Sequence, residues 1–112
     1  MSTDKATVTW ILDQLAPLPV RARPMFGEYG MYLGDQFVAL ICNDTLFLKP
    51  TAAGQEFGDE EWLNEPYPQA KHHYAIPADR IEDAAWLQEF VTATASLLPP
   101  PKPKRPRKSP SS

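Results

Sequence analysis

Two glycines stand three positions apart in the segment "GEYG", where Gly27 and Gly30 lie among Met, Phe and Tyr residues. Glycines beside aromatic residues occur in phosphate-binding loops, in nucleic-acid clamps and at bends where a strand begins. A P-loop needs a following Gly-Lys-Ser/Thr, and a dinucleotide-binding loop needs a third glycine that opens a helix. Neither is present, and Glu28 between the two glycines would repel phosphate. The sequence therefore predicts that the glycines permit a bulge or close backbone packing at a strand start.

Two adjacent histidines, His72 and His73, are the next candidates for chemistry, because imidazole is a common metal ligand and general base. Neighbouring side chains on a strand point to opposite faces, so the pair needs Cys42 or a distant carboxylate to complete a metal site. Cys42 lies in the middle of an apolar segment, which favours a core residue over a reactive thiolate. A metal site or small active site at His72 or His73 is therefore the weaker alternative, and we expect no catalytic residue and no cofactor.

The charge of the chain is unevenly distributed. Residues 1–98 contain six bases and all fourteen acids, a net charge of −8, whereas residues 99–112 carry +5. The composition predicts a folded domain over 1–98 and a flexible, proline-rich arm over 99–112. The arm either contacts DNA or RNA weakly and without sequence preference, or serves only as a solubilising extension. Its candidate nucleic-acid contacts are Lys102, Lys104, Arg105, Arg107 and Lys108.

The cysteine content and the hydropathy of the sequence indicate the cellular compartment in which we expect the protein. Cys42 is the only cysteine, so the chain contains no internal disulfide. The first residues include no apolar run of signal-peptide length, and no segment approaches the roughly 20 apolar residues that span a bilayer. We expect a cytoplasmic protein without a membrane partner.

Helical periodicity marks both ends of the predicted domain. In the first helix, Val8, Ile11, Leu12 and Leu15 form one apolar stripe, with Ser2 or Thr3 as the expected N-cap. A short helix is expected at 52–57. In the last helix, Asp83 is the expected cap and Pro99 ends the pattern; the apolar stripe is Trp86, Leu87, Phe90, Val91, Thr94 and Leu98.

Between the helices the hydrophobic period changes to two. Residues 28–50 predict three strands joined by tight turns at Gly34-Asp35 and Asn43-Asp44, whose residue types accept positive φ. A further strand, "KHHYAIP", is expected to end at Pro77. The middle strand is apolar on both faces, with Phe37, Ala39 and Ile41 predicted on one and Val38, Leu40 and Cys42 on the other.

Helices must cover one face of this sheet. The other face is covered by a second helix, by the segment near the tail or by a partner subunit. If it is open, it is the candidate surface for protein contact, formed by Tyr32, Val38, Leu40 and Phe47; the alternative surface is formed by exposed aromatic residues of the segment from Arg23 to Lys49.

The segment from Arg23 to Lys49 resembles the signature of the TfoX/Sxy family's N-terminal domain. That signature is a basic residue before Met-Phe-Gly, a Gly-aromatic segment, an apolar strand and an Asp-x-Leu-aromatic-Leu-Lys strand. The resemblance covers residues 8–98 and includes Tyr74 and Pro77. The principal matching positions are Arg23, Met25, Phe26, Gly27, Tyr29, Gly30, Tyr32, Asp44, Leu46, Leu48 and Lys49.

The resemblance implies an α+β fold, a two-layer sandwich in which an antiparallel sheet packs against N- and C-terminal helices, similar to type III secretion chaperones. Members are bacterial regulators of competence that act on transcription together with the cyclic AMP receptor protein, and no catalytic residue or cofactor comes with the family. Competence regulators of the family also carry a second, C-terminal domain, whose place the basic tail takes here.

These observations lead to two principal hypotheses. The first is a non-enzymatic regulatory protein that contacts a protein partner, with the transcription machinery or a regulator as the candidate. The second is a nucleic-acid-associated protein whose tail supplies the affinity. The sequence leaves open whether the protein is a monomer or a homodimer.

Overall fold

The computed structural model of the protein describes residues 3–25 and 27–99. The predicted nucleic-acid contacts of the tail, together with Phe26 and Ser2, lie outside these residues. The helices are α1 (Lys5–Leu15), α2 (Ala53–Phe57), α3 (Ala78–Ile81) and α4 (Ala84–Leu97), with a 3-10 turn at Glu60–Trp62. The strands are β1 (Val20–Met25), β2 (Glu28–Leu33), β3 (Gln36–Cys42), β4 (Thr45–Leu48), β5 (Leu63–Asn64) and β6 (His73–Ile76).

The strands of the described residues form one antiparallel sheet in the order β1-β2-β3-β4-β6-β5. Helices α1, α2, α3 and α4 all contribute side chains to a single hydrophobic core on one face of this sheet. The predicted α+β fold with helices at both ends of the domain is therefore confirmed. No helix in the described part of the chain combines the length and the apolar character needed to cross a membrane.

The core follows the predicted apolar stripes. Val8, Ile11 and Leu15 of α1 are buried, and Leu12 packs against them from the margin. Helix α4 buries Leu87, Phe90, Val91 and Thr94. The sheet contributes the side chains that face these helices: Met31, Val38, Ala39, Ile41, Leu46, Leu48, Tyr74 and Ile76.

A β-bulge in β3 corrects the predicted faces. The pairing of β2 with β3 shifts between Met31, which lies opposite Ala39, and Tyr32, which lies opposite Phe37, so Val38 has no partner in β2. An extra residue in one strand breaks the alternation, so that Val38 and Ala39 both belong to the core. The prediction that Phe37 shares a face with Ala39 is wrong, as is the placement of Val38 on the candidate contact surface.

Two strands and one α-helix of the structure give no clear signal in the sequence. Strand β1 pairs with β2 at the edge of the sheet, although Pro24 and two arginines conceal its alternating pattern. Edge strands tolerate proline because one side of their backbone makes no ladder hydrogen bonds. The two-residue strand β5 and the four-residue helix α3 are too short to give a periodic signal.

The N-terminus of α1 is fixed by the turn between β3 and β4. The helix cap is Asp4, whose Oδ1 accepts a hydrogen bond from Ala6 N–H at 3.0 Å, so the predicted Thr3 cap is wrong. Asp44 Oδ1 accepts from Asp4 N–H at 2.8 Å and from Thr7 Oγ1–H at 3.0 Å. The Thr3 hydroxyl instead donates to Glu28 Oε1 at 2.6 Å. These contacts tie the first helix to the centre of the sheet.

Asp44 combines this contact with a left-handed backbone, φ 61°, next to Asn43 at φ 52°. We expect Asp44→Ala to lower the free energy of unfolding by about 1–2 kcal/mol, because alanine loses the helix contacts and disfavours positive φ. Asp44→Gly keeps the turn but loses the contacts, and Asp44→Asn keeps both. Urea denaturation should rank the variants Asn, Gly, Ala in falling stability. Equal stability of the Asn and Ala variants would contradict this role.

Candidate functional site

The face of the sheet opposite the helices, here called the second face, is formed by Arg21, Arg23, Met25, Tyr32, Phe37, Leu40, Cys42, Phe47 and Lys49. None of its apolar members belongs to the core cluster under the helices, although Cys42 and Phe47 are themselves buried. Tyr32, Leu40 and Phe47 lie here as the sequence predicts, with Phe37 in the place expected for Val38. Within the described residues no helix lines this face, so the alternative of coverage by a helix is wrong for that part of the chain.

A groove of about 850 Å³ lies along the second face. Its floor includes Phe37 and Leu40 of β3, and its opposite wall is the loop segment Pro66, Tyr67 and Pro68. Pro66 is buried, whereas Tyr67 keeps 55% of its surface exposed. The remaining lining residues are Met25, Glu28, Tyr29, Cys42, Asn43 and His73. The volume falls within the roughly 300–1,000 Å³ that is usual for ligand sites.

The two glycines of the segment "GEYG" have different structural roles. Gly27 lies between β1 and β2 with φ 82°, in the left-handed region that favours glycine. Gly30 lies within β2, where an added Cβ would come 2.9 Å from Phe37 Cε1 and 3.1 Å from Met25 Cε. The absence of a side chain at Gly30 lets Phe37 and Met25 pack over the strand and shape the groove floor.

Cations cover the aromatic rings of the second face. The Tyr32 and Phe37 rings contact each other in a tilted arrangement with their centroids 5.1 Å apart. The Arg21 guanidinium lies 5.2 Å from the centroid of the Tyr32 ring, and Lys49 Nζ lies 4.4 Å from that of Phe37. Each contact is a cation–π interaction. The face is therefore apolar at its centre and positively charged over its rings.

Two lysines, Lys49 and Lys71, lie close to His73, which lines one end of the groove. Burial lowers the pKa of Lys49, and the nearby Lys71 charge lowers it further. Burial is also the main cause that lowers the pKa of His73, with further lowering by Lys49 and Lys71 that is opposed by hydrogen bonds to backbone carbonyls. The His73 Nδ1–H donates to the Lys71 carbonyl oxygen at 2.9 Å.

Cys42 and His73 both line the groove but do not form a nucleophile–base pair. Cys42 lies opposite Thr45, at the start of β4. Leu48, at the end of β4, lies opposite Tyr74, so Lys49 and His73, which are next to these two residues in sequence, lie at that end. Four residues of strand separate these ends by roughly 13 Å. Burial raises the pKa of the Cys42 thiol, and the Glu28 carboxylate raises it further, which favours the protonated and unreactive form.

The structure separates the two histidines named by the sequence. His72 is exposed ahead of β6, and His73 is half-buried in the strand and lines the groove. Among residues 3–25 and 27–99, no three His, Cys, Asp or Glu side chains are grouped closely enough to hold a metal ion.

The family signature is divided between three places in the fold. Tyr29, Leu46 and Leu48 belong to the core or pack against it. Gly27 and Asp44 occupy turns with positive φ. The second face receives the remaining described members, which are Arg23, Met25, Gly30, Tyr32 and Lys49.

Sequence reasoning missed the wall of the groove and Lys71. The segment Pro66-Tyr67-Pro68 lacks periodicity and meets β3 only through the tertiary fold. A signal was present in the aromatic residue flanked by two prolines, since prolines stiffen a loop and help it hold an exposed aromatic ring in place.

Comparison with known sequences gives two matches. The sequence model of the TfoX N-terminal domain matches residues 12–97 of the chain. An uncharacterized 12.7 kDa protein in the trpE 5' region of Spirochaeta aurantia is 39% identical over 106 residues. That alignment covers 94% of this chain and 91% of the relative.

The lowered pKa of His73 predicts how stability depends on pH. The unfolded chain takes up a proton near the ordinary histidine pKa of 6.5, whereas the folded state resists protonation. The contribution of His73 to stability is therefore present above the unfolded-state pKa and is lost as pH falls from that value through the lower folded-state pKa. Urea denaturation of wild type and His73→Gln, from about pH 7.5 to about pH 5.5, should show wild type losing more stability.

His72→Gln, a change at the exposed neighbour, is the matched control for this measurement. It should follow the wild-type pH profile more closely than His73→Gln does. A pH profile of His73→Gln that is parallel to wild type would refute the assignment.

Proposed function

The chain belongs to the TfoX N-terminal domain family, and from this membership we propose that it is a non-enzymatic regulatory protein of the bacterial cytoplasm that contacts a protein partner through its second face. The regulated process we propose is transcription, in the manner of the family's competence regulators. The observation that carries the proposal is the apolar groove, which the helices of the described residues leave uncovered.

The apolar side chains of the second face, surrounded by charged ones, support a binding role for this face. Exposed apolar patches that are ringed by polar groups are typical of protein contact sites. Here Phe37 and Leu40 provide the apolar centre, and Arg21, Arg23 and Lys49 provide the polar rim. Aromatic and arginine side chains are also enriched among the residues that dominate interface energetics.

The chemistry of the groove supports a non-enzymatic role. A covalent mechanism needs a nucleophile within hydrogen-bonding reach of its base. Cys42, with its raised pKa, and His73 lie at opposite ends of the groove. The function that this geometry favours is binding.

A photocrosslinking experiment tests the proposal. A benzophenone amino acid replaces Tyr67, which is 55% exposed on the groove wall, or Leu97, which is 54% exposed on α4. In cells of the native host we expect a discrete protein to be crosslinked from position 67 and not from position 97. The purified partner should then bind the full chain, and Gly30→Val should weaken that binding by displacing Phe37 and Met25. Equal crosslinking from both positions, or none from position 67, would contradict the proposal.

A second proposed function, association with nucleic acid, is favoured by the five bases and absence of acids in residues 99–112. Such a segment binds phosphates by releasing counterions, so its affinity falls steeply with salt. Lys102, Lys104, Arg105, Arg107 and Lys108 are changed together to Gln in the full chain. We expect the wild type to bind duplex DNA at low salt and the variant to lose this binding, as measured by fluorescence anisotropy. A variant that binds DNA as tightly as wild type would eliminate the tail as the contact.

A further inference from the structure

The charges of the described residues are separated between the two layers of the fold. Ten of the fourteen acids lie on helices or at helix ends: Asp4, Asp13, Glu56, Asp59, Glu60, Glu61, Asp79, Glu82, Asp83 and Glu89. The helical layer is therefore strongly negative. The described bases are fewer and lie elsewhere: Lys5, Arg21, Arg23, Lys49, Lys71 and Arg80.

Four of these six bases lie on or beside the second face. Arg21 and Arg23 alternate with core residues along β1, and Lys49 covers the Phe37 ring. Lys71 lies close enough to Lys49 and His73 to lower the pKa of both. Of the other two bases, Lys5 lies on α1, and Arg80 is held between tryptophans, with its guanidinium 4.1 Å from the ring centroid of Trp86.

No acid of the described residues forms an ion pair with Arg23, Lys49 or Lys71. Within the described residues, the ion pair on this side joins Arg21 to Asp35 at 4.0 Å between exposed side chains, a geometry that stabilises little. The Glu28 carboxylate lies at the far end of the groove and accepts hydrogen bonds from Thr3 Oγ1–H and Asn43 N–H. Lys49 and Lys71 therefore place positive charge beside the end of the groove that His73 lines, and Glu28 and Asn43 line the opposite end.

The dimensions of the groove favour an extended chain. Its two ends are separated by the four residues of strand between Thr45 and Lys49, roughly 13 Å, which is the length of about four residues in extended conformation. An extended segment laid along this direction places alternate side chains against Phe37 and Leu40. Its residues near Lys49 and Lys71 meet positive charge.

We propose that the second face binds an extended acidic segment of a partner protein, with apolar side chains in the groove and carboxylates beside Lys49 and Lys71. This inference rests on the proposed protein-contact function and names the chemistry of the partner. Charge complementarity of this kind steers association and fixes the orientation of the bound segment. The acidic helical layer in turn repels an acidic partner, which restricts it to the second face.

Nucleic acid fits the second face less well than an acidic peptide. Sheets that bind single strands offer free aromatic faces on which bases stack. Here the Tyr32 and Phe37 rings are already covered by Arg21 and Lys49. The apolar lining of the groove also suits leucine or phenylalanine side chains better than a sugar-phosphate chain.

Selection from a phage-displayed library of random peptides tests the inference on the intact protein. Peptides enriched on the wild-type chain should combine apolar residues with an excess of Asp and Glu. A synthetic copy of an enriched peptide should bind more weakly as salt rises. Replacement of its acids by Gln, or its apolar residues by Ala, should each weaken binding about tenfold or more.

The matched variants locate the contact. Lys49→Gln and Lys71→Gln should each weaken binding about fivefold, since each removes one charge beside the groove. Lys5→Gln removes the same charge from α1 and should leave binding unchanged. Circular dichroism and urea denaturation establish that each variant is folded. A weaker peptide affinity of folded Lys49→Gln and Lys71→Gln, with Lys5→Gln unaffected, supports the inference.

Four outcomes would overturn the inference. The selection could enrich no peptides, or it could enrich peptides without an excess of acids. Lys5→Gln could weaken peptide binding as much as Lys49→Gln and Lys71→Gln do, or the protein could bind an oligonucleotide in place of a peptide, with an affinity that depends on Lys49 and Lys71. These outcomes are distinguishable from failure of the proposed function. A partner crosslinked from position 67 that binds through a neutral or basic segment refutes the acidic chemistry and leaves protein contact standing. Absence of such a partner refutes the protein-contact function whatever the peptides show.

Discussion

The β-bulge at Val38 is the constraint on which the arrangement of this protein depends. Strand β3 is apolar at almost every position, so strict alternation alone would give a sheet with two similar faces. The extra residue sends Val38 into the core beside Ala39 and leaves Phe37 on the same face as Leu40. The helices pack over the first set, and the second set forms the groove floor. One inserted residue thus determines which apolar side chains build the core and which line the groove.

The two-layer packing also explains the separation of charge. Acids at helix N-termini interact favourably with the helix dipole, and Asp4, Asp59 and Asp83 accept hydrogen bonds from backbone N–H groups there. The helical layer thereby gains negative charge for structural reasons. In the part of the chain that the structure describes, no helix end lines the second face, and two of its cations, Arg21 and Lys49, lie over aromatic rings. Local stabilisation of each layer by different interactions leaves most of the acids in the helical layer and most of the described bases on or beside the second face.

Local features of the sequence predicted most of the helices and strands, whereas features that depend on the tertiary fold could not be predicted from the sequence. The stripes of α1 and α4 and the positive-φ turn at Asn43-Asp44 follow from residue type and spacing alone. The bulge was missed because a run of apolar residues fits either face, and the choice is made by packing against α4. The cap of α1 was misplaced for a similar reason, since Asp4 is held by Asp44, forty residues away. Of the second face, the sequence indicated Tyr32, Leu40 and Phe47, but it indicated neither the groove wall nor the nearby Lys71.

Lys49 has an unfavourable environment in the free protein and is one of the residues that the proposed acidic partner contacts. It directly follows Leu48, which is fully buried, and its pKa is lowered by burial and by Lys71. Within the described residues no carboxylate lies within ion-pair distance of it, and its contact with Phe37 offsets only part of the cost of removing a charge from water. Departures from local consistency are expected mainly at functional sites. A partner carboxylate beside Lys49 would compensate for the lost hydration of the Lys49 charge and for its repulsion by Lys71. The partly buried charge lowers the stability of the free protein, and an acidic partner would supply the opposite charge that the free protein lacks at this position.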